Sequence, residues 1–208
     1  MTSQALPRLY LLTDRHHTLH RSLPSVVTQA VEAGVRMVQI RERDLGTHDL
    51  ISLSHRLLPL IRHNHAIVLL NDRIDLVIAL GADGVHLRAD SLPVTVARRL
   101  LGPEHLIGIS THSVEEARIA EGEGADFIVL GPIFDTPSKR PYGSPLGIGI
   151  LHEACRTIPL PIFAIGGITA TRIPHVLSSG AYGVAVISSI LQSPSIPDAA
   201  RELLSRLS

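Results

Sequence analysis

Chemistry-bearing residues fall at the downstream ends of short apolar runs. One run closes on Gln39-Ile40-Arg41 and is followed by Glu42-Arg43; another closes on Asn71-Asp72, and a third on His86. Ser110-Thr111-His112, Gly131-Pro132, Gly166-Gly167 and Ile187-Ser188 end four more, and Thr13-Asp14 the first. A guanidinium such as Arg41 facing a protein interior needs an anionic partner. Consecutive glycines let a ligand approach backbone N–H groups, and a helix amino end adds further donors, so Gly166-Gly167 and Ser188 point to a phosphate. Asp72 beside Asn71 offers oxygen ligands of the kind Mg²⁺ takes, or alternatively an internal ion pair with Arg41 or Arg73. Thr136 and Lys139 share a loop that could close over a second anion. Of twelve histidines, only His86 and His112 stand at strand ends. The others, His16, His17, His20, His48, His55, His63 and His65 among them, have no zinc-type spacing and read as solvated.

The elements that must position these groups form a repeat. Gly81-Ala82-Asp83-Gly84-Val85, Gly124-Ala125-Asp126-Phe127-Ile128 and Gly180-Ala181-Tyr182-Gly183-Val184 are variants of one phrase, with Glu32-Ala33-Gly34-Val35 a looser copy. Each ends an amphipathic stretch with glycine and opens a β-branched run, which is a helix-to-strand joint. Eight strands are expected, beginning near Leu9, Val35, Ala66, Val85, Leu106, Phe127, Ile162 and Val184. Continuous apolar runs of this kind are covered on both faces. Helical segments are expected over Ser22–Ala33, Leu50–Arg62, Leu92–Leu101, Ser113–Glu123 and Thr169–Ser179, with Ser113 and Glu116 forming a capping box. Gly143–Gly149 reads as an extension of the loop after strand 6. Eight such units in 208 residues predict one α/β domain spanning 1–208, a (β/α)₈ TIM barrel; an open doubly wound sheet is the rival. In a barrel, all eight polar strand ends share one rim, where the chemistry of such folds resides.

Composition excludes other classes. Nineteen basic and nineteen acidic residues cancel, so no basic stripe suits nucleic acid. No run of about 18 uncharged apolar residues suggests a membrane span, and the first residues lack a signal-peptide layout. One cysteine, Cys155, makes a reducing cytoplasm the expected compartment. With aromatics at 3% and no Trp, the core is expected to consist of Leu, Ile, Val and Ala.

The runs Val38–Arg43, Asn71–Asp75, Gly81–Leu87, Ser110–Ser113, Gly131–Thr136, Ala164–Ile168 and Val186–Ser188 resemble, in order, thiamine phosphate synthase and its TenI-type paralogues. The resemblance implies condensation of a hydroxymethylpyrimidine diphosphate with a thiazole phosphate, releasing diphosphate with Mg²⁺ as cofactor. It implies that Gln39, Arg41, Asn71, Ser110 and Lys139 hold the pyrimidine diphosphate, with Arg41, Ser110 and Lys139 acting on the departing group. Asp72 would be the Mg²⁺ ligand; Thr136, Gly166, Gly167, Ile187 and Ser188 would hold the thiazole phosphate. The chain departs from the synthase pattern at three places. Arg88-Ala89-Asp90-Ser91 replaces Gly-Gln-x-Asp, so the second metal-binding aspartate is Ser91, with Asp90 one residue early. Arg43 stands for a substrate-binding lysine, and Pro132 takes the position of the histidine that a TenI-type thiazole tautomerase uses. Three functions stay open: the synthase, a tautomerase working through His112 or His86, and a non-catalytic thiazole phosphate binder. Partners are small phosphorylated pyrimidines and thiazoles, and self-association is left open.

Overall fold

The computed structural model describes residues 5–136, 140 and 143–208. Eight parallel strands close into a barrel in chain order: β1 (Leu9–Leu12), β2 (Met37–Ile40), β3 (Ile67–Asn71), β4 (Gly84–Leu87), β5 (Leu106–Thr111), β6 (Phe127–Leu130), β7 (Ile162–Ile165) and β8 (Gly183–Val186). β8 pairs back onto β1, with Leu9 opposite Val184. Each expected strand start lies within two residues of the observed one. The surrounding helices are α1 (Leu23–Glu32), α2 (Thr47–His63), α3 (Ile74–Leu80), α4 (Val94–Leu101), α5 (Val114–Gly122), α6 (Gly147–Thr157), α7 (Ile173–Ser178), α8 (Ser188–Leu191) and α9 (Ile196–Ser205). Gly147 and Gly149 belong to the first turn of α6, so the loop after β6 is shorter than its glycine content suggests.

The repeated phrase is a structural joint. Gly34, Gly81, Gly124 and Gly180 all take positive φ, between 64° and 114°. The aspartate that follows then accepts a backbone N–H from the neighbouring strand: Asp83 Oδ2 from Val68 at 2.8 Å and Asp126 Oδ2 from Ile107 at 2.6 Å. Arg98 neutralises Asp126 at 2.6 Å. These joints fasten the end of the barrel opposite the polar rim. Ser113 caps α5 as expected, accepting from Glu116 N, while the Glu116 carboxylate accepts from His112 N at 2.7 Å.

Two apolar layers follow from the strand pleat, whose period is two. One parity (Leu9, Leu11, Val38, Ile40, Val68, Leu70 and their equivalents) packs against the helices. The other (Tyr10, Leu12, Met37, Leu69, Phe127, Val129, Phe163, Ala185) fills the barrel. The inner filling differs from expectation. Few as they are, the aromatics concentrate here: Tyr10, Phe127 and Phe163 meet edge to face with centroids 5.5–6.0 Å apart, and Tyr182 extends the set. The Phe127 ring has room because its register partner on the adjacent strand β5 is Gly108. A Cβ on Gly108 would lie 2.1 Å from the Phe127 ring.

Gly108→Ala therefore overpacks a closed ring of strands. We expect a loss of about 1–3 kcal/mol, read as a fall in Tm of roughly 2–4 °C per kcal/mol in calorimetry. An unchanged Tm would mean that the ring can move aside.

Candidate functional site

The inner parity, continued upward from the aromatic layer, runs into the predicted residues. Above Met37 come Gln39 and Arg41, above Leu69 comes Asn71, and above Gly108 come Ser110 and His112. Above Phe163 the same series passes Ile165 to Gly167, and above Ala185 it reaches Ile187. One geometric rule thus gathers groups from separate strands over one floor.

Gln39 is fully buried, and among the described residues neither its Oε1 nor its Nε2 has a partner. An unpaired buried amide costs about 1–3 kcal/mol, so it is poised for a polar ligand. Arg41 keeps only 20% of its side chain exposed and lies 3.7 Å from Asp14. Burial, and the positive charges of Arg43 and Arg88, lower its pKa, but a guanidinium stays a cation. Its backbone is fixed by a network that sequence reading missed. Thr13 Oγ1 accepts from Arg41 N at 2.9 Å and donates to Glu42 at 2.7 Å. The buried Glu42 carboxylate also takes Arg15 N at 3.0 Å. Arg15 then grips Asp44 through two bonds of 2.6 and 2.7 Å, which holds the Asp44 carboxyl well below the usual range. Arg43 itself is exposed, and Asn71 is half-buried at the end of β3.

Ser110 is placed by a buried relay. Tyr10 Oη lies 3.3 Å from His86 Nδ1, and His86 Nε2 lies 2.9 Å from Ser110 Oγ. Among the described residues the buried Tyr10 hydroxyl has no other acceptor, so it donates to Nδ1. Nε2–H then donates to Ser110, whose own proton is left free for an anion. Burial, reinforced by Arg41, pushes the His86 pKa down to about 3. It is a neutral spacer and unsuited to acid–base work near neutrality. His112 is exposed and donates from Nδ1 to the Gly131 carbonyl at 2.6 Å, leaving Nε2 as an acceptor.

On the opposite side, Gly166 and Gly167 have φ of 95° and 63°. A Cβ on Gly167 would sit 2.7 Å from Asp135 O and 2.9 Å from Phe134, so only glycine fits there. Arg172 covers this turn, donating to Gly167 O at 2.6 Å and lying 4.6 Å over the Phe134 ring. The helix expected directly after strand 7 begins only at Ile173. The adjacent amino end is instead that of the short α8, whose first residue is Ser188 and whose capping residue is Ile187. Thr136 is half-buried at the edge of the loop, and Lys139 lies outside the described residues.

Asp72 pairs with neither Arg41 nor Arg73. Its Oδ2 accepts from Arg88 Nε at 2.8 Å, while Arg73 pairs with Asp75 at 2.6 Å. Among the described residues no three His, Cys, Asp or Glu side chains converge as a metal site. With a guanidinium on the one candidate carboxylate and Ser91 offering no charge, the donor set does not fit an Mg²⁺ held by the protein itself.

The family model for thiamine monophosphate synthase matches residues 9–190. The chain belongs to this family. A Geobacter sulfurreducens protein with thiamine-phosphate synthase as its provisional name is 47% identical over 96% of this chain and 93% of its own. The thiamine-phosphate synthase of Roseiflexus sp. is 40% identical, covering 94% and 83%. A solved structure, a thiamine phosphate pyrophosphorylase from Pyrococcus furiosus, superposes with a TM-score of 0.88 at 32% identity, covering 96% and 95%. The thiamine monophosphate synthase family thus accounts for the barrel and for the order of its rim motifs.

The relay makes a titration prediction. The folded-state pKa of His86 is depressed to about 3, below an ordinary value of about 6.5. The unfolded chain therefore binds the extra proton first, and this group removes stability as pH falls from about 6.5 toward 3, with no effect above that window. Nitrogen-15 NMR is expected to show His86 as the neutral Nε2–H form from pH 8 down to about 4.5. Protonation near pH 6 would contradict the relay.

Proposed function

We propose that the chain is a thiamine-phosphate synthase, joining a pyrimidine-methyl diphosphate to a thiazole phosphate. The observation that carries this reading is a pair of anion stations over one aromatic floor. Arg41 and Ser110 stand on the β2–β5 side, and the Gly166-Gly167 turn with the α8 amino end stands on the β7–β8 side. An isomerase acting on one thiazole phosphate needs only the second station. The orphan amide of Gln39, buried beside the first, suits the ring nitrogen and amino group of a pyrimidine.

In this reading the pyrimidine-methyl C–O bond breaks and the diphosphate leaves with the electron pair. The thiazole nitrogen then uses its lone pair to form the new C–N bond. No general base is required. The protein orients both rings, excludes water above the Tyr10–Phe127–Phe163 layer and supplies donors to the developing negative charge. Arg41 and the free Ser110 proton do this, with Asn71 and Arg43 at the same side; Lys139, expected to join them, lies outside the described residues. Thr136, Gly166, Gly167, Ile187 and Ser188 take the thiazole phosphate. Mg²⁺, if it takes part, would arrive with the diphosphate and help neutralise the leaving group; Asp72, already paired with Arg88, does not fit as a resident ligand. The whole of 1–208 acts as one unit. We assign it to the cytoplasm: its one cysteine, Cys155, is a half-buried thiol pushed up to about 11 by burial, and among the described residues no helix is long and apolar enough to cross a membrane.

Purified protein mixed with both substrates and Mg²⁺ should form thiamine phosphate. Gln39→Leu should raise KM for the pyrimidine diphosphate by at least about tenfold while leaving the ligand-free Tm unchanged or higher, because it removes an unsatisfied amide. No product from the wild type, and none from Ser91→Asp, would overturn the reading. Turnover of the thiazole carboxylate phosphate tautomer, lost in His112→Ala, would then assign the isomerase.

A further inference from the structure

The Asp72–Arg88 pair has a shape that a simple surface ion pair lacks. Arg88 follows His86 by two residues, on the inner parity at the top of β4. Its Nε lies 2.8 Å from Asp72 Oδ2 and 3.4 Å from Asp90 Oδ1, so one edge of the guanidinium sits between carboxylates from two different loops. Asp72 reaches this position only by taking φ of 62°, with its N–H tied to His86 O at 2.9 Å. Aspartate is among the few non-glycine residues that enter that region, and here the turn aims its carboxylate at Arg88. The backbone N–H of Arg88 also lies 3.4 Å from Asp72 Oδ1.

The opposite edge of the guanidinium is unclaimed. Among the described residues the Nη1 and Nη2 groups have no hydrogen-bond acceptor, and 41% of the side chain is open to the mouth of the barrel. Arg41 is close enough for Arg88 to lower its pKa, and Asp14, at 3.7 Å, is its one ion-pair partner among the described residues. Arg41 and Arg88, on the inner parity at the ends of β2 and β4, are each paired on one side, with no acceptor on the other among the described residues. Forked N–H donors in this arrangement match phosphate oxygens. A divalent ion approaching Asp72 and Asp90 would have to displace a positive charge already hydrogen-bonded there.

We propose that Arg88 is the resident cation of the diphosphate station. Its guanidinium occupies the place between Asp72 and Asp90 that a divalent ion would take, and its Nη edge binds diphosphate oxygens directly. The site therefore holds diphosphate without metal. The proposal rests on the synthase reading only for the origin of the anion. Inorganic diphosphate binding can be read whether or not thiamine phosphate forms, so failure of one is distinguishable from failure of the other.

The test is calorimetric titration of the whole protein with inorganic diphosphate in EDTA and again in excess Mg²⁺. The wild type should bind in EDTA, with Mg²⁺ changing the affinity less than about threefold. Arg88→Ala should bind at least about tenfold more weakly in EDTA. Arg88→Lys, which keeps the charge and loses the fork, should fall between the two. Thermal melts of each variant report folding, and Asp90→Asn, which removes the more exposed carboxylate, should bind diphosphate in EDTA at least as tightly as the wild type. In a separate arm, Mn²⁺ added to ligand-free wild type should stay free by electron paramagnetic resonance. Diphosphate binding that needs Mg²⁺ in the wild type, affinity unaltered in folded Arg88→Ala, or tight Mn²⁺ binding to the ligand-free protein would each overturn the proposal.

Discussion

Tyr10, Phe127 and Phe163 pack edge to face across the barrel axis and fill it from wall to wall. Everything polar in the upper half stands on that layer. Because the rings fill the axis, Gln39 is fully buried with its amide unpaired, His86 is held neutral, and the fields of Arg41 and Arg88 are felt in a medium of lowered dielectric. Gly108 leaves the space that the Phe127 ring of this layer occupies. Packing and function are therefore one constraint here. The residues that close the barrel also form the floor of the proposed site.

The site above the floor is held by charges that pair laterally and stay open toward the mouth. Thr13, Glu42, Arg15 and Asp44 form a chain that fixes the backbone at Arg41. Asp72 and Asp90 flank Arg88. Tyr10 and His86 fix Ser110. In each case the partners satisfy one side of the functional group and leave the other free, so reorganisation on binding is small. The glycine turn is built differently: Gly166 and Gly167 take positive φ, Arg172 braces the turn from its carbonyl side, and Ser189 of the short α8 donates to Ile168 O.

Much of this was legible in the sequence. The apolar runs gave the number of units and located each strand to within two residues, and the repeated glycine phrase marked four of the helix-to-strand joints. The polar strand ends named Gln39, Arg41, Asn71 and Ser110. The rest depended on contacts that no local pattern encodes. Arg88 looked like a departure from a motif, and its pairing with Asp72 depends on a positive φ at a non-glycine residue. Glu42 read as part of a charged run, although it is buried, because its partners come from the preceding loop. The helix after β7 begins later than its pattern suggests, at Ile173, and four residues of α8 are too few to show periodicity. The interior filling was also misjudged. A low aromatic count says nothing about where the few rings gather.

The central claim is that one rim carries two anion stations of different construction. A crystal structure of the protein with thiamine phosphate and diphosphate bound tests it most directly. The account predicts the thiamine phosphate group against the backbone N–H groups of Gly166-Gly167 and α8, the pyrimidine ring on the Gln39 amide, and the diphosphate on Arg41, Ser110 and the Nη edge of Arg88. A phosphate seated away from the glycine turn, or diphosphate bound with Arg88 turned out and a metal on Asp72, would contradict it.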